Sequence, residues 1–472
     1  MWALIIGLFS FTTQEVAADT LRPALDTTAN RVVTVNRILV IGNKITREKI
    51  ISRELSLKVG DTVSTHRLKE LVKRDQQKIY NLRLFNKVEL RWFSIDNHHI
   101  DLLVDVAERW YTFPVPIFEL SDRNFNEWWQ NYNHDFRRVN YGVRLYQYNS
   151  RGRNETLRLT AQFGFTRRFE LTYRIPYIDQ KQKHGLIFDF NYIEPRNMAY
   201  FTDDHKLVFR KDTRPLQASF QSGISYTYRK NFYQTHTFQY HYQDNRVSDS
   251  IVHFNPNYFG ANSTRQSFSS LRYFFNADHR DVFAYPLKGY QFLAMASKSG
   301  LGFGRVNLWE LSASYARFLD LDKGYYLSNY SAFYLSSPDN QPYNLYSALG
   351  YRRQLVKGYE VYVIEGPRYV LNKTTLRKKI FSRTWQLDNV SIEQFRHFPL
   401  AIYLKGYLDL GYVENYPYYE QLGINSRLSN RLLAGTGTGL DIVTAYDAIL
   451  RLEYTFTREK THGFFLHMKK EF

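Results

Sequence analysis

Cysteine is absent from the 472 residues. That excludes disulfide staples and thiolate metal sites. Long hydrophobic runs are also missing. Beyond the first dozen residues no stretch is apolar enough to cross a bilayer as a helix, and mean hydropathy is −0.47. The short catalytic signatures Gly-x-Ser-x-Gly and His-Glu-x-x-His do not occur. His98 and His99 are adjacent and point to opposite faces of a strand or turn, a poor metal pair. Asp278-His279-Arg280-Asp281 has acid and base but no nucleophile of defined geometry. The chain therefore reads as a non-enzyme with no cofactor or metal. Acidic excess is lacking too: 63 Lys and Arg face 45 Asp and Glu, a net charge of +18. The basic residues are dispersed among acids and aromatics, with no block that forms a nucleic-acid arm. This pattern fits anionic membrane lipids; a solvated lumen is the alternative.

What is abundant is aromatic. With 38 Tyr, 35 Phe and 7 Trp, aromatics make up 17 % of the chain. A hydrophilic average with heavy aromatics is what a transmembrane β-barrel gives, since half of each strand faces water and aromatic girdles mark both interfaces. The last residues carry the same message. Phe464, Leu466, Met468 and Phe472 fall on one side of a strand, and Phe465, His467, Lys469 and Glu471 on the other. Lys470 interrupts the apolar side, where an interfacial lysine snorkels. An amphipathic edge strand of a soluble sheet would show the same alternation. At the other end, an apolar run from Met1 to Phe11 and the small pair Ala17-Ala18 read as a signal peptide over residues 1–18, without a positive leading region.

Between these ends the chain divides. Residues 32–110 predict a small α+β domain in the order β-α-α-β-β. Thr46 is placed to cap the first helix, Ser64 or Thr65 opens the second, and Leu68, Leu71, Val72 and Ile79 lie at helical spacing. Residues 111–138, with Pro114, Pro116, Phe125, Trp128 and Trp129, predict a periplasmic linker. Residues 139–472 predict a barrel of sixteen antiparallel strands, with long loops at about 244–266 and 337–368. Gly435, Gly437 and Gly439 alternate on one face of a strand. No helix start follows to make them an anion cradle, so they predict a flat strip on the inner wall where another segment lies close.

The run ILVIGNKITREKIISREL, followed by VGD, LFNKVEL and VDVAERW, resembles a POTRA domain of the BamA/TamA-type outer-membrane assembly family, the bacterial surface antigen barrels. Val356-Lys357-Gly358-Tyr359 resembles the motif at the tip of that family's loop between the eleventh and twelfth strands, with lysine replacing an arginine. Tyr407-Leu408-Asp409-Leu410-Gly411-Tyr412 is similar to its thirteenth-strand motif. The terminal Phe472 is similar to the C-terminal signature of bacterial outer-membrane proteins. The resemblance implies a loop folded into the lumen. By strand parity Asp409 points inward and is the first expected partner of the Lys357 amine, and Glu453 the second. It further implies an outer-membrane location with the POTRA domain in the periplasm, and a short member with a single POTRA domain. The implied function is insertion of outer-membrane proteins through a seam between the first and last strands, here about 139–149 and 463–472, weakened by Gly142. Implied partners are unfolded outer-membrane or translocated proteins, outer-membrane lipids and accessory subunits. A secretion translocon is the rival reading; its branch usually carries two POTRA domains and a plug helix. A passive channel or surface structural barrel is the other.

Overall fold

The computed structural model describes residues 31–120, 139–302, 304–350, 354–387, 390, 394 and 396–469. The expected signal peptide, Phe125, Trp128, Trp129 and the terminal Phe472 lie outside them.

The N-terminal domain runs β1 (Val32–Ile41), α1 (Glu48–Ser52), β2 (Thr62–Ser64), α2 (Thr65–Tyr80), β3 (Phe85–Ser94) and β4 (His99–Glu108). Its sheet order is β2-β1-β4-β3, with β1 and β4 parallel and the other neighbours antiparallel. The short β2 adds a strand to the order expected from sequence; three residues are too few for alternation to register. Helix α2 forms because Leu68, Leu71, Val72 and Ile79 make one stripe, and that stripe is buried against the sheet. Thr46 does not cap α1. The residue at that cap is Arg47, and the Thr46 hydroxyl instead lies 3.1 Å from the Tyr111 phenol and accepts from Asn149 Nδ2 at 2.8 Å. Burial pushes the Tyr111 phenol above its ordinary value.

The second part is one sixteen-stranded antiparallel sheet. Its strands are β5 (Thr112–Leu120), β6 (Val139–Ser150), β7 (Glu155–Gly164), β8 (Arg167–Ile175), β9 (His184–Glu194), β12 (Gln217–Arg229), β13 (Gln234–Val247), β14 (Arg265–Asp278), β15 (Gly289–Ser299), β16 (Leu308–Asp320), β17 (Tyr325–Ser337), β20 (Arg368–Gln386), β21 (His397–Val413), β22 (Leu432–Thr444), β23 (Ile449–Thr457) and β24 (His462–Lys469). The sheet therefore begins at Thr112, not at Val139. Segment 112–120, expected as linker, is the first barrel strand, paired with β6 from Thr112↔Gln147 to Leu120↔Val139. Its two prolines hid it, because proline demotes a strand reading except at an edge. Fifteen strands follow Val139, so the count of sixteen holds only with β5 included.

The small domain curls across one end of this sheet. Arg229, the last residue of β12, donates two hydrogen bonds to the Glu54 carboxylate, at 2.8 and 2.9 Å. Asn81 donates to the Asp281 carbonyl at 2.9 Å, Asn86 to the Gln394 carbonyl at 2.6 Å, and Arg109 to Asp447 at 2.9 Å. Arg47 N–H reaches the Gly152 carbonyl at 3.0 Å. One domain touches turns from β6–β7 through to β22–β23, which requires the sheet to wrap into a barrel. Leu404, Leu408 and Tyr412 are exposed on the outside while Tyr403, Lys405, Tyr407 and Asp409 are buried within, the alternation a barrel wall imposes.

At the opposite end, long connections fold over the opening. The hairpin β10 (Asn197–Asp203) and β11 (Lys206–Lys211), the helix α3 (Asp249–Phe254), the paired segments β18 (Ala348–Leu349) and β19 (Ile364–Glu365), and the helix α4 (Pro417–Leu422) lie there. Two of these connections match the expected long loops; the β10–β11 hairpin and the 414–431 loop add to them.

Candidate functional site

The loop between β17 and β20 spans residues 338–367 and folds inward. Val356, Tyr359, Leu349 and Ile364 join Leu371, Val413, Leu428 and Leu433 in a buried apolar cluster inside the wall. Gly358 takes φ +88°, a conformation that disfavours a side chain, and it rests on the methyl groups of Thr455 and Thr457 of β23. The Tyr359 phenol donates to Glu459 beyond β23. All four residues of the loop motif thus sit against β21, β22 and β23.

Lys357 meets both expected carboxylates, but with different atoms. Its backbone N–H donates to Asp409 Oδ2 at 3.3 Å. Its amine goes to Glu453 Oε1 at 3.4 Å and lies 3.7 Å over the Tyr407 ring. The amine's ion pair is thus with the second-choice carboxylate, Glu453, because the backbone of the motif itself occupies the space beside Asp409. The Lys373 amine lies 3.8 Å from Asp409 Oδ2.

The glycine strip divides in use. All three glycines face inward. A Cβ on Gly435 would overlap the Lys357 carbonyl, so this glycine is the bed of the loop. Gly437 leaves room for the Tyr407 hydroxyl, which bonds Thr455 at 2.6 Å, and Gly439 lies beside Glu453.

Sequence reasoning missed the middle of the site. Asp441 and Glu453 share Lys405, whose amine bonds Asp441 and lies 2.6 Å from Glu453. Asp441 also accepts from the Tyr285 phenol at 2.9 Å, with Arg377 and Arg451 each at 3.7 Å. Arg377 of β20 thus faces a buried carboxylate of the wall. His467 of β24 stands 3.5 Å from Glu453 and 3.8 Å from Glu360 of the loop. Asp409, Asp441 and Glu453 are each 1 % exposed or less. Buried carboxylates of this kind need cations or donors around them. The register places them there: Arg377, Lys405, Gly439, Glu453 and Phe465 form one row across β20 to β24. Parity from Asp409 also puts Lys405 inward, four residues earlier on the same face, so it was readable. Tyr285 was not, since it arrives from a distant turn. Among the described residues no group of three or more His, Asp or Glu is arranged to hold a metal, and no helix is long and apolar enough to cross a membrane. The arrangement is a clasp. It ties a loop to three wall strands and reaches the last strand through His467.

A family model described as the Omp85 superfamily domain matches residues 149–464, most of the chain. The chain belongs to the Omp85 superfamily. The POTRA model, described as a surface antigen variable number repeat, matches residues 33–109. Omp85 barrels are outer-membrane proteins. Among solved structures, this Omp85 chain is similar in fold to CdiB from Escherichia coli, at 11 % identity and a TM-score of 0.51, covering 92 % of this chain and 75 % of that one. BamA from Haemophilus ducreyi lacking POTRA domains 1–3 is 13 % identical, with a TM-score of 0.49 over 93 % of this chain and 82 % of that one. No curated protein matches the chain.

Proposed function

We propose that this Omp85 barrel assembles proteins into the outer membrane, using the seam between its first and last strands. The seam strands are β5 and β24, not the 139–149 segment expected from sequence. Gly142 lies on β6, one strand in from the edge, opposite Ile117. The observation that carries the reading is that, among the described residues, no ladder joins β5 to β24. Bare strand edges in hydrocarbon cost several kcal/mol per unpaired amide. An incoming strand that pairs with such an edge removes that cost, which is a physical route to catalysed insertion without covalent chemistry. The clasp supports the same reading, because it braces the wall next to β24. The folded loop and its apolar cluster occupy the lumen, which weighs against a passive channel. Clients, lipids and accessory subunits belong to the proposal.

The test is reconstitution in liposomes with a denatured outer-membrane barrel as client, followed by gel shift and protease protection. Client folding faster than in empty liposomes, and slower with Asp409→Ala, is the expected result. No acceleration with several clients would overturn the assembly reading.

A further inference from the structure

The first strand carries Pro114 and Pro116, and their placement is informative. In an antiparallel pair, the N–H and C=O of one residue point to the same side, and alternate residues point to opposite sides. Tyr148 N–H donates to the Tyr111 carbonyl at 2.7 Å, so Tyr111 and Tyr148 form a hydrogen-bonded pair. The register runs without a bulge from Thr112↔Gln147 to Leu120↔Val139. Odd-numbered residues of β5 therefore bond to β6, and even-numbered residues face the open edge. Both prolines are even-numbered. They lack the N–H that would point at β24.

We propose that Pro114 and Pro116 block closure of the barrel's own seam. This rests on the seam reading above. Through its middle the β5 edge offers carbonyl acceptors and no donors. A strand laid along it finds one hydrogen bond where an ordinary pair makes two. Two of its carbonyls then stay unpaired in hydrocarbon, an unfavourable state. Native sheets use edge prolines to prevent unwanted pairing; here the strand refused is the chain's own β24. The prolines lie on the lipid side, opposite Leu145 and Val143, so valine at either position keeps the outer surface apolar and restores a donor.

The absence of cysteine permits a direct test. Phe118→Cys on β5 is combined with Phe464→Cys or Leu466→Cys on β24, with and without Pro114→Val and Pro116→Val, in the full chain in liposomes. Oxidative cross-linking and hydrogen exchange of β24 amides report the seam, and heat-dependent gel mobility reports folding. Restored donors are expected to raise seam closure about thirtyfold, the shift that two backbone hydrogen bonds of ordinary net strength give, and to slow client folding. Unchanged cross-linking and exchange in a folded variant would overturn the proposal. More cross-linking with client folding unaffected would uphold the proline block and remove the seam from the assembly mechanism. Pro116→Ala, which adds one donor and less bulk, repeats the test if the double variant does not fold.

Discussion

Lys405 is the residue on which the clasp turns, because one amine serves two buried carboxylates. Removing one partner of a buried ionic group leaves the others uncompensated and costs about 3–5 kcal/mol. Lys405→Met is expected to lower barrel stability by about that much, read from urea unfolding in vesicles. Gly435 makes a different point. It has no charge, yet Gly435→Val would drive a side chain into the Lys357 backbone. The loop is then expected to leave its bed, and trypsin to cut after Lys357 in the variant while the parent protein resists. Equal resistance would mean that the strip is not what holds the loop.

Pairs of elements carry their own chemistry at the capped end. The turn joining β10 to β11 holds His205, which is buried and accepts the Leu428 N–H at Nε2, 2.9 Å away. Asn425 Oδ1 accepts the His205 N–H at 2.8 Å, and Arg427 bonds Asp204 at 2.8 Å. This hairpin is thus latched to the loop between β21 and β22. Burial pushes the His205 imidazole down to about 4, with Arg427 adding to the effect and Asp204 opposing it. Above about 6.5, the open-chain value, the ring is neutral whether the latch is closed or open, and the latch has its full strength. As pH falls from there the open form binds a proton that the closed form refuses, so the latch weakens until about 4. Amide exchange in residues 414–431 is expected to accelerate across that window. His205→Gln is expected to flatten the response, and a pH-independent parent would contradict the latch.

The whole molecule depends on how the POTRA domain is held across the mouth. Two contacts are ionic and buried: Glu54 with Arg229, and Arg109 with Asp447. They lie at turns far apart along the sheet, so together they fix orientation, where either alone permits rotation. Arg109→Ala and Arg229→Ala combined are expected to broaden the distances between spin labels on α2 and on the β16–β17 turn, measured by pulsed electron resonance. The β16–β17 turn makes no part of these contacts, so a narrow distribution in the variant would assign the docking to the neutral hydrogen bonds of Asn81 and Asn86.

Local pattern determined much of this protein. Alternation along β21 to β24 put Leu408 and Leu466 outside, because a period of two permits only two faces. Helical spacing laid out α2, and the family motifs marked the POTRA domain and the loop. Tertiary structure decided the rest, since it concerns groups brought together from distant parts of the chain. Only sheet register shows that Lys405 is shared between Asp441 and Glu453, and only the packed loop shows that Lys357 gives Asp409 its amide and Glu453 its amine. Residues 112–120 read as linker for the same reason: two prolines argue against a strand until pairing with β6 shows that their missing donors face an open edge. A sequence carries its periodicity within itself, whereas an ion pair or a strand edge exists only once a partner, or the lack of one, has been placed beside it.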